Sequence, residues 1–174
     1  MTRGIIVWKN STGRKVKVYN MVRFAMEKDL KRINELRRQV NELHVKGRPD
    51  IFKAGFGEEL QEAARAWIRG ENSDILVVER EGVLCGVACV DYVHKPETPY
   101  GAARSFCHVQ ELVVDEAFRR QGVAGELFAF IKEEAAKRDF DKIELDVWEF
   151  NASAIEFYRA MGFRETRRWM EYSL

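Results

Sequence analysis

The sequence has little of what would staple a small protein covalently or carry it into a membrane. Three cysteines among 174 residues cannot all pair within the chain, so a disulfide scaffold is excluded. Cys85 and Cys89 have no second pair and no His-x-x-x-His beside them, which excludes a zinc finger and implies no metal. Four apart in a strand-like stretch, they are expected on one face as small buried hydrophobes. Prolines number only 3, so no disordered bulk or linker is expected. An excess of one charge is missing too: 29 basic and 28 acidic side chains leave a net +1. That argues against a surface that tracks a polyphosphate, so any anion site must be local. The longest apolar run, residues 83–90, contains Gly86 and falls far short of the ~20 residues that cross a bilayer. The first residues lack the apolar core and small-residue cleavage site of a secretory signal, so the expected compartment is the cytoplasm, with no membrane partner.

What is present is one domain's worth of chain with 46% hydrophobic residues, enough for a sizeable core. Residues 1–17 read as an N-terminal extension, either a hairpin arm or a frayed end, because Asn10-Ser11-Thr12-Gly13 is a turn cluster. Residues 18–174 form the domain. Alternation predicts strands at 16–24, 75–79, 83–93, 106–114, 143–147 and 163–172. Apolar residues at three- and four-residue steps predict helices at 26–47, 58–68, 122–138 and 151–161. The expected class is mixed α/β in one domain, with a central mixed sheet and helices on both faces.

The stretch most informative about chemistry is Leu112-Val113-Val114-Asp115-Glu116-Ala117-Phe118-Arg119-Arg120-Gln121-Gly122-Val123-Ala124-Gly125. An apolar strand runs through a basic, glycine-containing turn straight into a helix. The first N–H groups of that helix have no partner within it, and the helix dipole adds about half a positive charge there. A phosphate suits that place, with Gly122 and Gly125 sparing it side chains and Arg119 and Arg120 adding charge. The stretch is equally that of an ordinary surface helix start with solvated arginines. It contains neither a Gly-x-x-x-x-Gly-Lys-Ser/Thr loop nor a Gly-x-Gly-x-x-Gly fingerprint.

Arg119-Arg120-Gln121-Gly122-Val123-Ala124 resembles the Gln/Arg-x-x-Gly-x-Gly/Ala loop of the GNAT superfamily of N-acetyltransferases. Asn151-Ala152-Ser153-Ala154-Ile155-Glu156-Phe157-Tyr158-Arg159-Ala160-Met161-Gly162-Phe163 is similar to that family's Asn-x-x-Ala-x-x-x-Tyr-x-x-x-Gly-Phe segment. The resemblance implies a sheet splayed between the fourth and fifth strands, 106–114 and 143–147, with acetyl-CoA in the opening. Its pantetheine would pair with the backbone of Leu112, Val113 and Val114. Its diphosphate would meet Arg119, Arg120, Gln121, Gly122, Val123, Ala124 and Gly125. Asn151 would contact the cofactor arm, act as a plain N-cap, or do both.

By the same resemblance Tyr158 donates a proton to the leaving thiolate; by spacing alone it belongs to the helix's apolar stripe. An attacking ammonium of pKa ~10.4 must first lose its proton, which costs about 4.6 kcal/mol at pH 7. Glu111 is the first candidate base and Asp146 the second. The acceptor amine, a small molecule or peptide, is expected near His44, Arg48, Asp50 and Phe52, although a helix-end histidine also bonds carbonyls. The loop 92–104, a lid or a plain hairpin loop, is expected beside the same mouth. Cys107 has no histidine partner, because His108 points to the other face. Arg37-Arg38 and Arg167-Arg168 lack interleaved aromatics, so nucleic acid is not expected. The implied function is acetyl transfer in a ternary complex. The alternatives are a non-catalytic acyl-CoA-binding module and an interaction domain without a cofactor. The family's habits also leave a homodimer open, in which Ile5-Ile6-Val7-Trp8 would add a strand.

Overall fold

Six strands form one sheet in order β1 to β6 in the computed structural model, which describes residues 4–9 and 15–174. β1 (Gly4–Lys9), β2 (Lys15–Phe24), β3 (Ser73–Arg80), β4 (Val83–Lys95) and β5 (Arg104–Val114) pair antiparallel in sequence order. β6 (Ile143–Leu145) joins β5 in parallel. The helices are α1 (Leu30–Gly47), α2 (Glu58–Arg69), α3 (Val123–Lys137) and α4 (Ala152–Ala160). The mixed α/β class is therefore as expected. The turn cluster at residues 10–13 lies outside the described residues. β2 itself spans the expected boundary between residues 17 and 18.

The sheet is covered on both faces because its central strands are apolar on both sides. On one face α1 and α2 bring Ile33, Leu36 and Ala64 onto Ile75, Val77, Val87 and Val113. On the other, α3 lays Val123, Leu127 and Ile131 onto Leu76, Val78, Ala88 and Val109. Each such fully buried aliphatic side chain contributes about 1.5–3 kcal/mol of transfer free energy.

Two bulges decide which side chains face which layer. Val78 pairs with Gly86 but Glu79 pairs with Leu84, so Cys85 is an extra residue that shifts the alternation by one. This overturns the expectation that Cys85 and Cys89 share a face: Cys85 packs in the α3 layer and Cys89 in the α1–α2 layer. All three cysteines are buried and unpaired, and burial pushes the Cys85 and Cys107 thiols up to about 11, so none is a ready nucleophile. In β5 the extra residue is Gln110, between the pairs Cys89↔Glu111 and Val90↔Val109. Without it Glu111 would follow Cys107 and Val109 into the α3 layer. With it, Glu111 turns to the α1 side.

Three expectations about the ends of the sheet are corrected. β6 stops at Leu145 rather than 147, because the chain then leaves the sheet to pack Trp148 and Phe150 against the end of α1. No strand forms at 163–172: Phe163 N–H closes α4 onto Tyr158 C=O at 3.0 Å, and Trp169 and Tyr172 are 85% and 89% exposed. A three-residue β6 offers too short an edge for a ladder there. The loop after β4 is a hairpin connection with a Thr98↔Gly101 bridge. It sits at the start of β5, roughly 23 Å along the strand from Glu111 at 3.3 Å per residue, and not beside the end where β5 and β6 part.

Gly86 ties the sheet to the start of α3. A Cβ there would lie 2.6 Å from Val123 Cγ1 and 3.2 Å from Leu127 Cδ1. We expect Gly86→Ala to lower unfolding free energy by about 1–3 kcal/mol, as overpacking does, read from the midpoint of urea denaturation at unchanged slope.

Candidate active site

β5 and β6 are hydrogen-bonded neighbours over three pairs only, Cys107↔Ile143, His108↔Glu144 and Val109↔Leu145. Beyond Val109 the two part, and β5 runs on to Val114 with no strand on that side among the described residues. Leu112 and Val114 lean onto the α3 layer and Val113 is in the opposite core. What these three residues present to the opening is backbone, a ready template for an extended ligand.

The turn after β5 is built from the residue level up. Asp115 accepts from Ala117 N–H at 2.9 Å and starts a short 3-10 turn at Glu116–Phe118. Arg119 Nε donates to Val114 C=O at 3.4 Å. Arg120 and Gly122 both take left-handed backbone, at φ 61° and 86°. For Gly122 that costs nothing, while for Arg120 it is strain of a kind that collects at functional sites. Glu126 N–H reaches Gly122 C=O at 3.0 Å, so the N–H groups of Val123, Ala124 and Gly125 precede the first bond of α3 and have no acceptor in the helix. A Cβ at Gly125 would meet nothing within 4 Å. At two of the expected residues the side chain is engaged elsewhere and only backbone faces the turn. Val123 is 1% exposed with its side chain in the core. Gln121 Nε2 donates back to Ala117 C=O at 3.0 Å.

α4 carries Tyr158 and is capped by Asn151, two further residues expected at the site. Asn151 Oδ1 accepts from Ala154 N–H at 3.2 Å, so the N-cap reading is fulfilled, while its NH2 makes no hydrogen bond among the described residues. Tyr158 packs edge-on to Phe163 at 5.4 Å, and Phe163 meets Phe128 of α3 at 5.1 Å. Its hydroxyl has no hydrogen-bond partner among the described residues, and burial pushes the phenol up to about 12.

Glu111 is not a free carboxylate. Arg37 of α1 holds both its oxygens, Nε at 2.8 Å and Nη2 at 2.9 Å, while Arg37 Nη1 donates to Leu60 C=O at 2.5 Å. Arg37 is 2% exposed and lies over the rings of Phe56 and Trp67. From sequence Arg37 reads as part of a solvated basic face; the signal against that is its place among Ile33, Leu36 and Val40, on the apolar side of α1. Asp146 is 82% exposed, 3.8 Å from Arg167.

His44, Arg48 and Phe52 do come together, and with two residues the sequence reading passed over. His44 stacks on Phe52 at 4.9 Å and meets Phe150 edge-on at 6.0 Å, and Phe52 meets Trp148 at 5.4 Å. Arg48 lies over Trp148 and is held by Asp50 and Glu171. The Phe150 ring sits directly on Gly47, where a Cβ would be 2.5 Å away. This wall joins the end of α1 to the chain leaving β6. A hollow of about 310 Å3 lies elsewhere, between α3 and the end of α4, and none of the expected site residues lines it. Among the described residues no three His, Cys, Asp or Glu side chains cluster as a metal would need, and no helix is long and apolar enough to cross a membrane.

A sheet that parts beside a turn of outward N–H groups defines an acyl-CoA-binding class of fold, and the comparisons agree. The chain belongs to the acetyltransferase (GNAT) family, whose model matches residues 37–163. A solved structure of a mutant of the BH1408 protein from Bacillus halodurans is 32% identical, with a TM-score of 0.85 over 88% of this chain and 99% of that one. The aminoglycoside N-acetyltransferase AAC(6')-Iy in complex with CoA has the same fold at 18% identity, TM-score 0.73, over 91% of this chain and 97% of that one. The L-ornithine N5-acetyltransferase NATA1 of Arabidopsis thaliana is 27% identical over 74 residues, which are 42% of this chain and 32% of that protein. The chain thus spans about a third of that curated relative.

His44 supplies a pH test of the aromatic wall. Burial holds its imidazole below the usual 6.5, with the nearby Glu111 charge opposing more weakly. Below pH 6.5 the unfolded chain therefore binds a proton more readily than the folded one, and stability falls as pH drops. We expect the urea midpoint to be lower at pH 5.5 than at pH 7.5, and His44→Phe to flatten that difference relative to the parent chain.

Proposed function

We propose that this chain is an acetyl-CoA-dependent N-acetyltransferase that transfers acetyl directly to a primary amine in a ternary complex. The observation that carries the reading is the unpaired edge of β5 leading into the turn at 119–125, whose free N–H groups fit a diphosphate. Acetyl-CoA, the cosubstrate of the family, supplies an acetyl thioester. The backbone of Leu112, Val113 and Val114 would hold its pantetheine, the N–H groups of residues 120–125 its diphosphate, and the Asn151 NH2 its arm.

The amine nitrogen forms its bond to the acetyl carbon as the carbon–sulfur bond breaks, and the sulfur leaves with the electron pair. Tyr158 keeps its proton at physiological pH because of burial, so its O–H can donate to that sulfur. The ammonium must also give up a proton. Of the two carboxylates Glu111 suits this better, through water on the side away from Arg37, because it stands on the strand that carries the thioester; Asp146 is in open solvent. The aromatic wall supports an acceptor with an apolar body. Its carboxylates, Asp50 and Glu171, share Arg48 and Glu111 is taken by Arg37, which leaves one negative charge over, suited to a single ammonium rather than to a polycation.

The test is thiol release from acetyl-CoA with arylalkylamines, ornithine, polyamines, aminoglycosides and peptide N-termini. Turnover with at least one class is expected, and binding of CoA with no turnover across all of them would favour the non-catalytic module. Tyr158→Phe should lower kcat about 10²–10³-fold, the range for loss of one donor at a developing charge, with KM for acetyl-CoA unchanged.

A further inference from the structure

Arg80, at the end of β3, lies under the turn at 119–125 and is 7% exposed. Its Nη2 donates to the backbone C=O of Gln121 at 2.9 Å and to Glu126 Oε1 at 2.7 Å, and its Nη1 lies 3.4 Å from Gln121 Oε1. The strand therefore grips the turn from inside through one peptide group and one carboxylate.

We propose that Arg80 is the positioning residue of the diphosphate turn. The Gln121–Gly122 peptide is trans, so its C=O and N–H point in opposite directions. With the Gln121 C=O drawn down onto the buried guanidinium, the Gly122 N–H is aimed outward, where an anion would lie. The left-handed conformations of Arg120 and Gly122, either side of Gln121, are the backbone's accommodation to that orientation. A second effect acts through charge. Glu126 stands in the first turn of α3, where an uncompensated carboxylate would oppose a bound diphosphate. Arg80 neutralises it from the protein side, in a pair whose side chains are only 9% and 16% exposed. Arg80 touches neither the acetyl group nor the pantetheine in this arrangement. It acts through Gln121, Gly122 and Glu126.

The inference rests on the cofactor placement proposed above, and its test separates the two. Isothermal titration of CoA into the parent protein comes first: no binding there overturns the cofactor reading and this one with it. With binding in hand, Arg80→Gln should raise the Kd for CoA about tenfold, the loss expected when hydrogen bonds to a charged group are misaligned. Turnover with S-acetylpantetheine, which has no diphosphate, should stay within about twofold of the parent. Equal losses toward both donors would mean a general structural role and overturn the proposal, as would an unchanged Kd for CoA. Should Arg80→Gln fail to fold, Arg80→Lys serves in its place. It keeps a cation beside Glu126 but cannot span Gln121 and Glu126 with one planar fork, so the same selective loss toward CoA is expected at smaller size. A Lys variant that binds CoA as tightly as the parent would overturn the positioning role.

Discussion

A strand that loses its neighbour halfway along is the constraint on which this site depends. Backbone donors and acceptors are obligatory hydrogen-bonding groups, and β5 has none of them satisfied by β6 after Val109. The parting has an identifiable cause away from the strand itself. After Leu145 the chain is drawn aside by Trp148 and Phe150, whose rings pack on Phe52, His44 and the bare backbone of Gly47. A Cβ at position 47 would lie 2.5 Å from the Phe150 ring and displace it. Aromatic packing on α1 thus keeps open a backbone edge on the other side of β5.

The near-neutral composition conceals a local arrangement in which arginines act as ties rather than as a field. Arg37 joins α1 to Glu111 on β5, Arg32 joins α1 to Asp115 just past the end of β5, and Arg80 joins β3 to Glu126 on α3. Buried and half-buried pairs of this kind add little net stability, because desolvation offsets much of the attraction. What they add is position: each fixes a helix against the strand ends that border the opening. The bulge at Gln110 is part of the same design, since without it Glu111 would face α3 and the buried Arg37 would lose its carboxylate partner.

Much of this was legible from sequence because the signals were local. The apolar periodicity of α1, the Asn151 cap and the glycine-bearing turn each depend on residues within one or two turns of one another, and each stands where the pattern put it. What escaped was non-local. Strand alternation gave Cys85 and Cys89 one face because a single bulged residue leaves no composition mark. Residues 163–172 alternate like a strand, but a strand also needs an edge to pair with, and three residues of β6 do not provide one. Arg37 reads as surface charge because its carboxylate partner lies 74 residues away, and Arg80, whose partner lies 46 residues away, carries no local signal at all. Trp148 and Phe150 fall between the predicted strand at 143–147 and the helix at 151–161 and carry no local signal, because their partners Phe52 and His44 are distant in the chain.

Burial pushes the two uncharged titratable groups of the site in opposite directions, and to complementary ends. It lowers the affinity of His44 for a proton and raises that of Tyr158, because a low-dielectric setting penalises imidazolium and phenolate alike. At neutral pH the first group therefore offers a lone pair and the second an O–H, with no net charge on either. Glu111 and Arg37 cancel one another between them. The proposed transfer starts from an ammonium and releases a sulfur, and neither His44 nor Tyr158 adds a net charge to which either species would be held. The fixed positive partial charges are confined to the turn at 119–125, where N–H groups converge. On the proposed function, an anion-binding turn set apart from uncharged His44 and Tyr158 would let the opening hold a diphosphate at one end without trapping the leaving group at the other.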